Sequence, residues 1–269
     1  MKTFFVGKRD YKQTLALQEV IFNQKIKRQI SVQRNEVSLP LLPDVTIMVE
    51  HVDPVYTIGR RDTVSGLPQP CNITVVKTRR GGGITYHGPG QLTAYPIANI
   101  QMLWKKCTAE KVRSPIEWFS HVLECAMMDT AAHYGIPTHA YKTGIWSDAY
   151  QNQPHKKLGS IGLQLGSWVS MHGVGFNVCP QLDHFDRIVM CEMPGERATS
   201  LEKQIEIRGL SVRTPLIHET AAMILNAMVQ RLSQPTSYSV DSLVDLSEEK
   251  QWESTLLSLS GYSDPHQDN

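Results

Sequence analysis

Residues 78–97 read TRRGGGITYHGPGQLTAYPI and hold the chain's most suggestive chemistry. Adjacent cations, Arg79 and Arg80, precede the glycine triplet Gly81, Gly82 and Gly83, and Ile84, Thr85, Tyr86 and His87 follow. Three glycines in a row lose much conformational entropy on folding. They suit a place where backbone must lie against something else, here a ligand flanked by Arg79 or Arg80 and by His87. Two phosphate-binding patterns do not fit. No Gly-Lys-Ser/Thr follows the glycines. They also lead into Ile84, Thr85 and Tyr86, which favour a strand rather than the helix that a dinucleotide fingerprint opens. The plainer reading of the same stretch is a glycine-rich hairpin with surface arginines.

Two further positions carry chemistry. Lys157 lies in HKKLGSIGLQL, at the start of a β run, and Cys191 lies in FDRIVMCEMPG, where an apolar run meets a Gly/Pro turn. A thiol at such a junction is ordered and accessible, and a nearby lysine favours the thiolate, which is the nucleophilic form. Spacing alone does not bring the two together; on spacing alone they read as a solvated lysine and an inert thiol. The five cysteines, at 71, 107, 125, 179 and 191, are odd in number and contain no C-x-x-C pair. That argues against a disulfide framework or a cysteine zinc site and for a reducing compartment. No H-E-x-x-H spacing supports a metal. A net charge of +1 gives no global field for nucleic acid. No apolar run approaches the roughly 20 residues of a membrane span. The basic segment 1–12 resembles neither a secretory signal nor a clear transit peptide, because it already contains a strand.

The elements that must position these groups follow from periodicity. Residues 4–7 form a short strand, and apolar positions at helical spacing predict an amphipathic helix over 10–28. Residues 29–44 are polar and read as a connection. A β run over 45–51, extended by 54–57, turns at 59–61. The clearest helix spans 114–135, with Ser114 as N-cap, Pro115 at the first position and Glu117 completing a capping box. Its buried face is Ile116, Phe119, Val122, Leu123, Cys125 or Ala126, and Met127. Residues 144–150, 158–165 and 168–178 form a β-meander with Gly166-Ser167 as a tight turn. Thr214-Pro215 opens a last long helix with Leu216, Ala222, Ile224 and Met228 inward. Residues 252–259 form one more helix, and the end after 260 is loose. The mixture is α+β, or mixed α/β, in a single compact domain, and the chain beyond 234 is polar.

Three blocks carry a family resemblance. R-G-G-x-x-T-x-H-G-P-G-Q-L-x-x-Y-P stands at 80–96. K-L-G-S-I-G at 157–162 is followed by H-G-V-G-F-N-V at 172–178. F-D-R-I-V-M-C ends at Cys191, with T-S-L at 199–201. In this order the chain resembles the octanoyltransferases of lipoate biosynthesis, which implies a catalytic domain over 3–235 and a polar extension over 236–269. The resemblance implies the catalytic fold of lipoate–protein ligases and biotin protein ligases, and no cofactor. It implies transfer of an octanoyl group from octanoyl-acyl carrier protein to a lysine on lipoyl domains of 2-oxoacid dehydrogenases or on glycine cleavage H protein. Cys191 takes the nucleophile's place and forms a thioester, and Lys157 takes the place of the lysine that lowers its pKa. Arg80 to His87, Ser160, Ile161, Gly162, Gly173, Val174 and Gly175 take the places of substrate-binding segments. His87 orients substrate or holds its loop. The chain has Met190-Cys191-Glu192 where members often have Pro-Cys-Gly, which sets a carboxylate beside the thiol. The polar connection and tail suggest a mitochondrial version, the alternative being cytoplasmic. Competing readings are an ATP-dependent lipoate–protein ligase and a non-catalytic scaffold that binds lipoyl domains. Against the ligase, His87 is followed by Gly-Pro-Gly-Gln rather than His-Asp and Gly-Asn. Retention of Lys157 and Cys191 argues against the scaffold.

Overall fold

The structure is a computed structural model that describes residues 1–61, 66–67, 70–107, 114–190, 193–232 and 239–264. Its frame is an eight-stranded mixed sheet in the order β11-β1-β2-β6-β10-β9-β8-β7. These strands are β1 (Lys2–Arg9), β2 (Val45–His51), β6 (Gln91–Ile97), β7 (Thr138–Ala140), β8 (Ile145–Ser147), β9 (Lys156–Gly166), β10 (Val169–Asn177) and β11 (Leu243–Asp245). A second sheet, β4-β3-β5, comprises β3 (Val55–Ile58), β4 (Thr74–Lys77) and β5 (Ile84–His87). The run at 54–57 therefore does not continue β2 but starts the smaller sheet. The small sheet depends on a parallel pairing of Val55 with Thr74 and an antiparallel one with His87, both long in sequence.

Successive side chains of a strand face opposite ways, and here each face has its own core. Met48 and Phe5 pack with α2 (Ile100–Cys107), α3 (Pro115–His133) and α6 (Ile217–Leu232) on one side. Phe4, Val6, Ile47 and Val49 pack with α1 (Tyr11–Gln33) and α7 (Trp252–Ser260) on the other. Fully burying one such side chain stabilises by about 1.5–3 kcal/mol. A third cluster joins Tyr56, Ile58, Ile84 and Tyr86 of the small sheet to Phe185, Ile188, Met190 and Ala198. The short α4 (Asp183–Asp186) contributes Phe185.

The cap expected at 114 is present: Ser114 Oγ accepts from Glu117 N–H, and Glu117 returns a bond to Ser114 N–H at 3.0 Å. Phe119, Val122, Leu123, Ala126 and Met127 are buried, with Cys125 half-buried. Ile116 is instead 40% exposed, since its turn overhangs a cavity rather than the core. Leu216 precedes α6 and is also exposed; Thr220, Ala221, Leu225 and Met228 share the inward face with Ile224. Asp10 caps α1, which runs to Gln33, further than its apolar stripe suggests. The β9–β10 hairpin pairs Gly166 with Val169, so its two turn residues are Ser167 and Trp168, not Gly166-Ser167. Both have positive φ, 47° and 66°, the geometry of a tight primed turn. The end of the chain is not loose where described. β11 adds a parallel edge to β1, and Leu246, Trp252, Leu256, Leu257 and Tyr262 are buried. Tyr262 OH donates to Pro43 O at 2.7 Å. The helices α2 and α5 (Leu201–Arg208) escaped the periodicity reading, being eight residues each.

Candidate active site

The glycine segment lies along the edge of β9 that β8 leaves unpaired beyond Gly159. Gly81 N–H donates to Leu163 O at 2.9 Å, and Gly59 N–H and Arg60 N–H bond back to Gly83 O and Arg80 O. A cavity of about 310 Å³ opens between this segment, β9, β10 and the start of α3. That volume is at the small end for ligand sites. Two glycines make the close packing feasible. A Cβ on Gly173 would sit 2.0 Å from Ala94 O of the paired strand, and one on Gly162 would sit 2.9 Å from Arg80 Cδ.

Most residues singled out from the sequence meet here. Arg80, Gly81, Gly82, Thr85, His87, Lys157, Ser160, Ile161, Gly162, Gly173, Val174 and Gly175 all line the cavity. Gly83, Ile84 and Tyr86 do not. Ile84 and Tyr86 alternate with Thr85 and His87 along β5 and face the third core cluster, so they buttress the wall from behind. The two arginines part company: Arg79 is exposed and Arg80 is buried. Arg80 Nη2 donates to Thr57 O and Oγ1 at 2.7 and 2.8 Å, and Nη1 donates to Gly81 O at 2.9 Å. Cys191 lies outside the described residues, but the chain on both sides is anchored. Met190 is 2% exposed within the third cluster. On the C-terminal side, Lys157 N–H donates to Arg197 O and Thr199 N–H donates to Lys157 O.

Lys157 is only 2% exposed. Its Nζ donates to Thr143 O at 3.0 Å and stands 5.3 Å from the centroid of the Trp146 ring. The cavity also holds a set of rings that were given no role from the sequence: Tyr11, Tyr95 and His172 line it, and His51 stands behind them. His87 Nδ1 lies 2.6 Å from Gln91 Oε1. The amide oxygen accepts, so Nδ1 carries the proton and Nε2 keeps its lone pair. Gln91 Nε2 in turn donates to Asn177 Oδ1, and Asn177 Nδ2 donates to Thr199 O. A hydrogen-bond chain thus runs from His87 to Thr199, whose N–H donates to Lys157 O. Burial drives His87 and His172 down to about 3 and His51 to about 4, with Arg80 and the neighbouring histidines adding to the effect on His87 and His172. Tyr11 is pushed up to about 12 by burial, against the opposing pull of Arg80. At neutral pH the histidine rings are uncharged, and the wall also carries the buried side chains of Arg80 and Lys157. His172 also has φ of 60° within β10, a conformation rare for a residue with a Cβ. Only its place in the H-G-V-G block hinted at a role. An apolar strip of Ile116, Ile161, Leu163 and Val174 completes the lining. A short acyl chain with a polar head fits this distribution.

Residues 10–228 match the model of the lipoyl protein ligase A/B catalytic domain. The chain belongs to that family. The matched span contains the whole cavity lining and Cys191; β11 and α7 lie beyond it. Among curated relatives, an octanoyltransferase of Synechococcus elongatus is 35% identical over 178 residues, covering 64% of this chain and 70% of the relative. An octanoyltransferase of Christiangramia forsetii is 32% identical, covering 74% and 84%. Among solved structures, the bi-partite lipoate protein ligase of Thermoplasma acidophilum, described with its E2 lipoyl domain, superposes with a TM-score of 0.58 at 11% identity. That alignment covers 96% of this chain and 90% of the other and shows the shared fold.

Proposed function

We propose that this family member is an octanoyltransferase of lipoate biosynthesis, acting through a thioester on Cys191. The observation that carries the covalent mechanism is Lys157: a lysine 2% exposed, on the wall of a cavity built by the glycine segment, β9 and β10. A buried ammonium near a thiol favours the thiolate. In the first half-reaction the Cys191 thiolate attacks the thioester carbonyl of octanoyl-acyl carrier protein. A new C–S bond forms, the carrier's C–S bond breaks, and the carrier thiol leaves with the proton lost by Cys191. In the second, the neutral amine of a lipoyl-domain lysine attacks the acyl-enzyme. The amide C–N bond forms, Cys191 departs as thiolate, and the surplus amine proton passes through Lys157 or solvent. The neutral rings around His87 and the apolar strip receive the acyl chain and exclude water from it.

The test is the intact mass after incubation with octanoyl-acyl carrier protein in the absence of ATP. One added octanoyl group, removed by hydroxylamine and absent in Cys191→Ala, is the expected result. Transfer that appears only with ATP and free octanoic acid would overturn it in favour of ligase chemistry. Near-normal turnover by Cys191→Ala would overturn the thioester.

A further inference from the structure

Residues 141–144 form a turn that is costly for its sequence. Lys142 and Thr143 have φ of 43° and 59°, followed by Gly144 at 105°. A β-branched residue rarely adopts positive φ, and such strain persists only where the surroundings over-determine it. Three contacts do so. Tyr141 N–H donates to Gly144 O at 3.2 Å. Trp146 Nε1–H donates to Tyr141 O at 2.6 Å. Gly144 N–H donates to Glu124 Oε1, on α3, at 2.9 Å. What the strained turn achieves is the direction of one carbonyl: Thr143 O accepts from Lys157 Nζ. The turn also closes tightly on that side chain, since a Cβ on Gly144 would lie 3.2 Å from Lys157 Cε.

We propose that Glu124 is a positioning residue for Lys157: its carboxylate sets the 141–144 turn, and the turn sets where the ammonium stands. The inference rests on the reading of Lys157 as the group that acts on Cys191. The charged and titratable groups around the turn are Glu124 and His121 from α3, Tyr141 and Lys142 on the turn, Glu196 facing Lys142, and His155 facing Glu196 and the Tyr141 ring. Lys142 also reaches Glu196, at 3.3 Å, but the two side chains are 46% and 21% exposed, and such solvated pairs hold weakly. The Glu124 side chain is 13% exposed and accepts a backbone N–H, a charge-assisted bond in a drier setting.

Three variants separate positioning from mere support. Glu124→Gln keeps an acceptor oxygen at the same reach; Glu124→Asp keeps the charge but is one methylene short; Glu124→Ala removes both. The readouts are an NMR titration of the Lys157 side chain, the pH midpoint of Cys191 alkylation, and kcat and KM of transfer. Misplacement by about 1 Å can cost on the order of 10²-fold in rate. The expected result is that Asp and Ala variants lose about tenfold or more in kcat with donor KM nearly unchanged, while Gln retains most of it. Their Lys157 titration moves down, because a hydrogen bond to the charged form is lost, and alkylation needs a higher pH. A Lys157 titration identical to the parent's in both Asp and Ala variants would overturn the proposal, whatever happens to stability. So would a Gln variant as impaired as the Ala variant. Should Ala fail to fold, the Asp–Gln contrast decides. A moved Lys157 titration with unmoved Cys191 alkylation would uphold the positioning role and remove the Lys157–Cys191 coupling beneath it.

Discussion

Gly162→Ala tests the packing of the glycine segment on β9. The new Cβ would meet Arg80 Cδ at 2.9 Å and Gly81 O at 3.3 Å, against the 3.4 Å at which ordinary contact begins. Arg80 must therefore give by about half an ångström, since bond-length methyl insertions into close packing are relieved only by such shifts. It cannot swing freely, because its guanidinium is held by Thr57 O, Thr57 Oγ1 and Gly81 O. The relief available is to lift the segment from β9, which weakens the Gly81–Leu163 bond. Overpacking costs about 1–3 kcal/mol and a weakened hydrogen bond about 1 kcal/mol. For a chain of this size that is a melting-temperature fall of about 5–10 °C. Gly81→Ala is the control from the same segment. Its Cβ would have Leu163 O as neighbour at 3.6 Å, an ordinary contact, and its φ is not positive. Thermal denaturation should separate the two variants, and Gly162→Ala should also show a raised KM for the donor as the cavity wall shifts. Equal melting temperatures for both variants would refute the claim that the segment is pressed onto β9.

Lys157→Met should leave thermal stability equal or higher, abolish transfer, and raise the pH at which Cys191 is alkylated by iodoacetamide; an unchanged alkylation profile would show that Lys157 does not tune the thiol. Acid should destabilise the fold through His51, His87 and His172. Their folded pKa values of about 4, 3 and 3 lie below the unfolded value of 6.5, so the unfolded chain binds more protons as pH falls. Stability is then full above about pH 6.5 and declines toward about pH 4 for His51 and about pH 3 for His87 and His172, by about 2 kcal/mol per histidine between pH 7 and 5. Urea midpoints measured across that range check it, and a flat profile would contradict the burial of neutral rings. Ser167→Gly should stabilise the β9–β10 hairpin by up to about 1 kcal/mol, because Ser167 holds φ of 47° that glycine adopts without a Cβ clash; a loss of stability in chemical denaturation would count against it.

Much of the frame was legible because it is local. The α3 capping box, the β2 boundaries, the α7 span and the β9–β10 hairpin each depend on residues a few positions apart. What escaped depends on distant pairings. No local signal joins Val55 to Thr74 or separates β3 from β2. The polar look of 236–269 hid Trp252, Leu256 and Tyr262, whose burial requires the far face of the main sheet to be present. The cavity shows the same division. Three motif blocks supplied its glycines, Arg80, His87, Tyr95, Lys157 and His172, but Tyr11 sits at the first turn of a helix, outside every block, where neither residue type nor spacing marks it. Ile84 and Tyr86 could have been set apart from Thr85 and His87 by the two-residue period of a strand alone.

Lys157 shows most clearly why the remainder needed three dimensions. In the sequence it is one of two adjacent lysines at the head of a β run, a position at which solvation is the ordinary expectation. In the fold its neighbour Lys156 is half-buried while Lys157 turns inward to 2% exposure. Burying an ammonium costs several kcal/mol of hydration even after relaxation, and a carbonyl and an aromatic face return part of it. Replacing a buried ion by an apolar side chain of similar volume is often neutral or stabilising. Stability therefore gives no reason to keep a lysine there, nor to hold Lys142 and Thr143 at positive φ so that one carbonyl meets it. A charge retained at a cost, beside a cavity and within a strained frame, is what a reaction needs and a core does not.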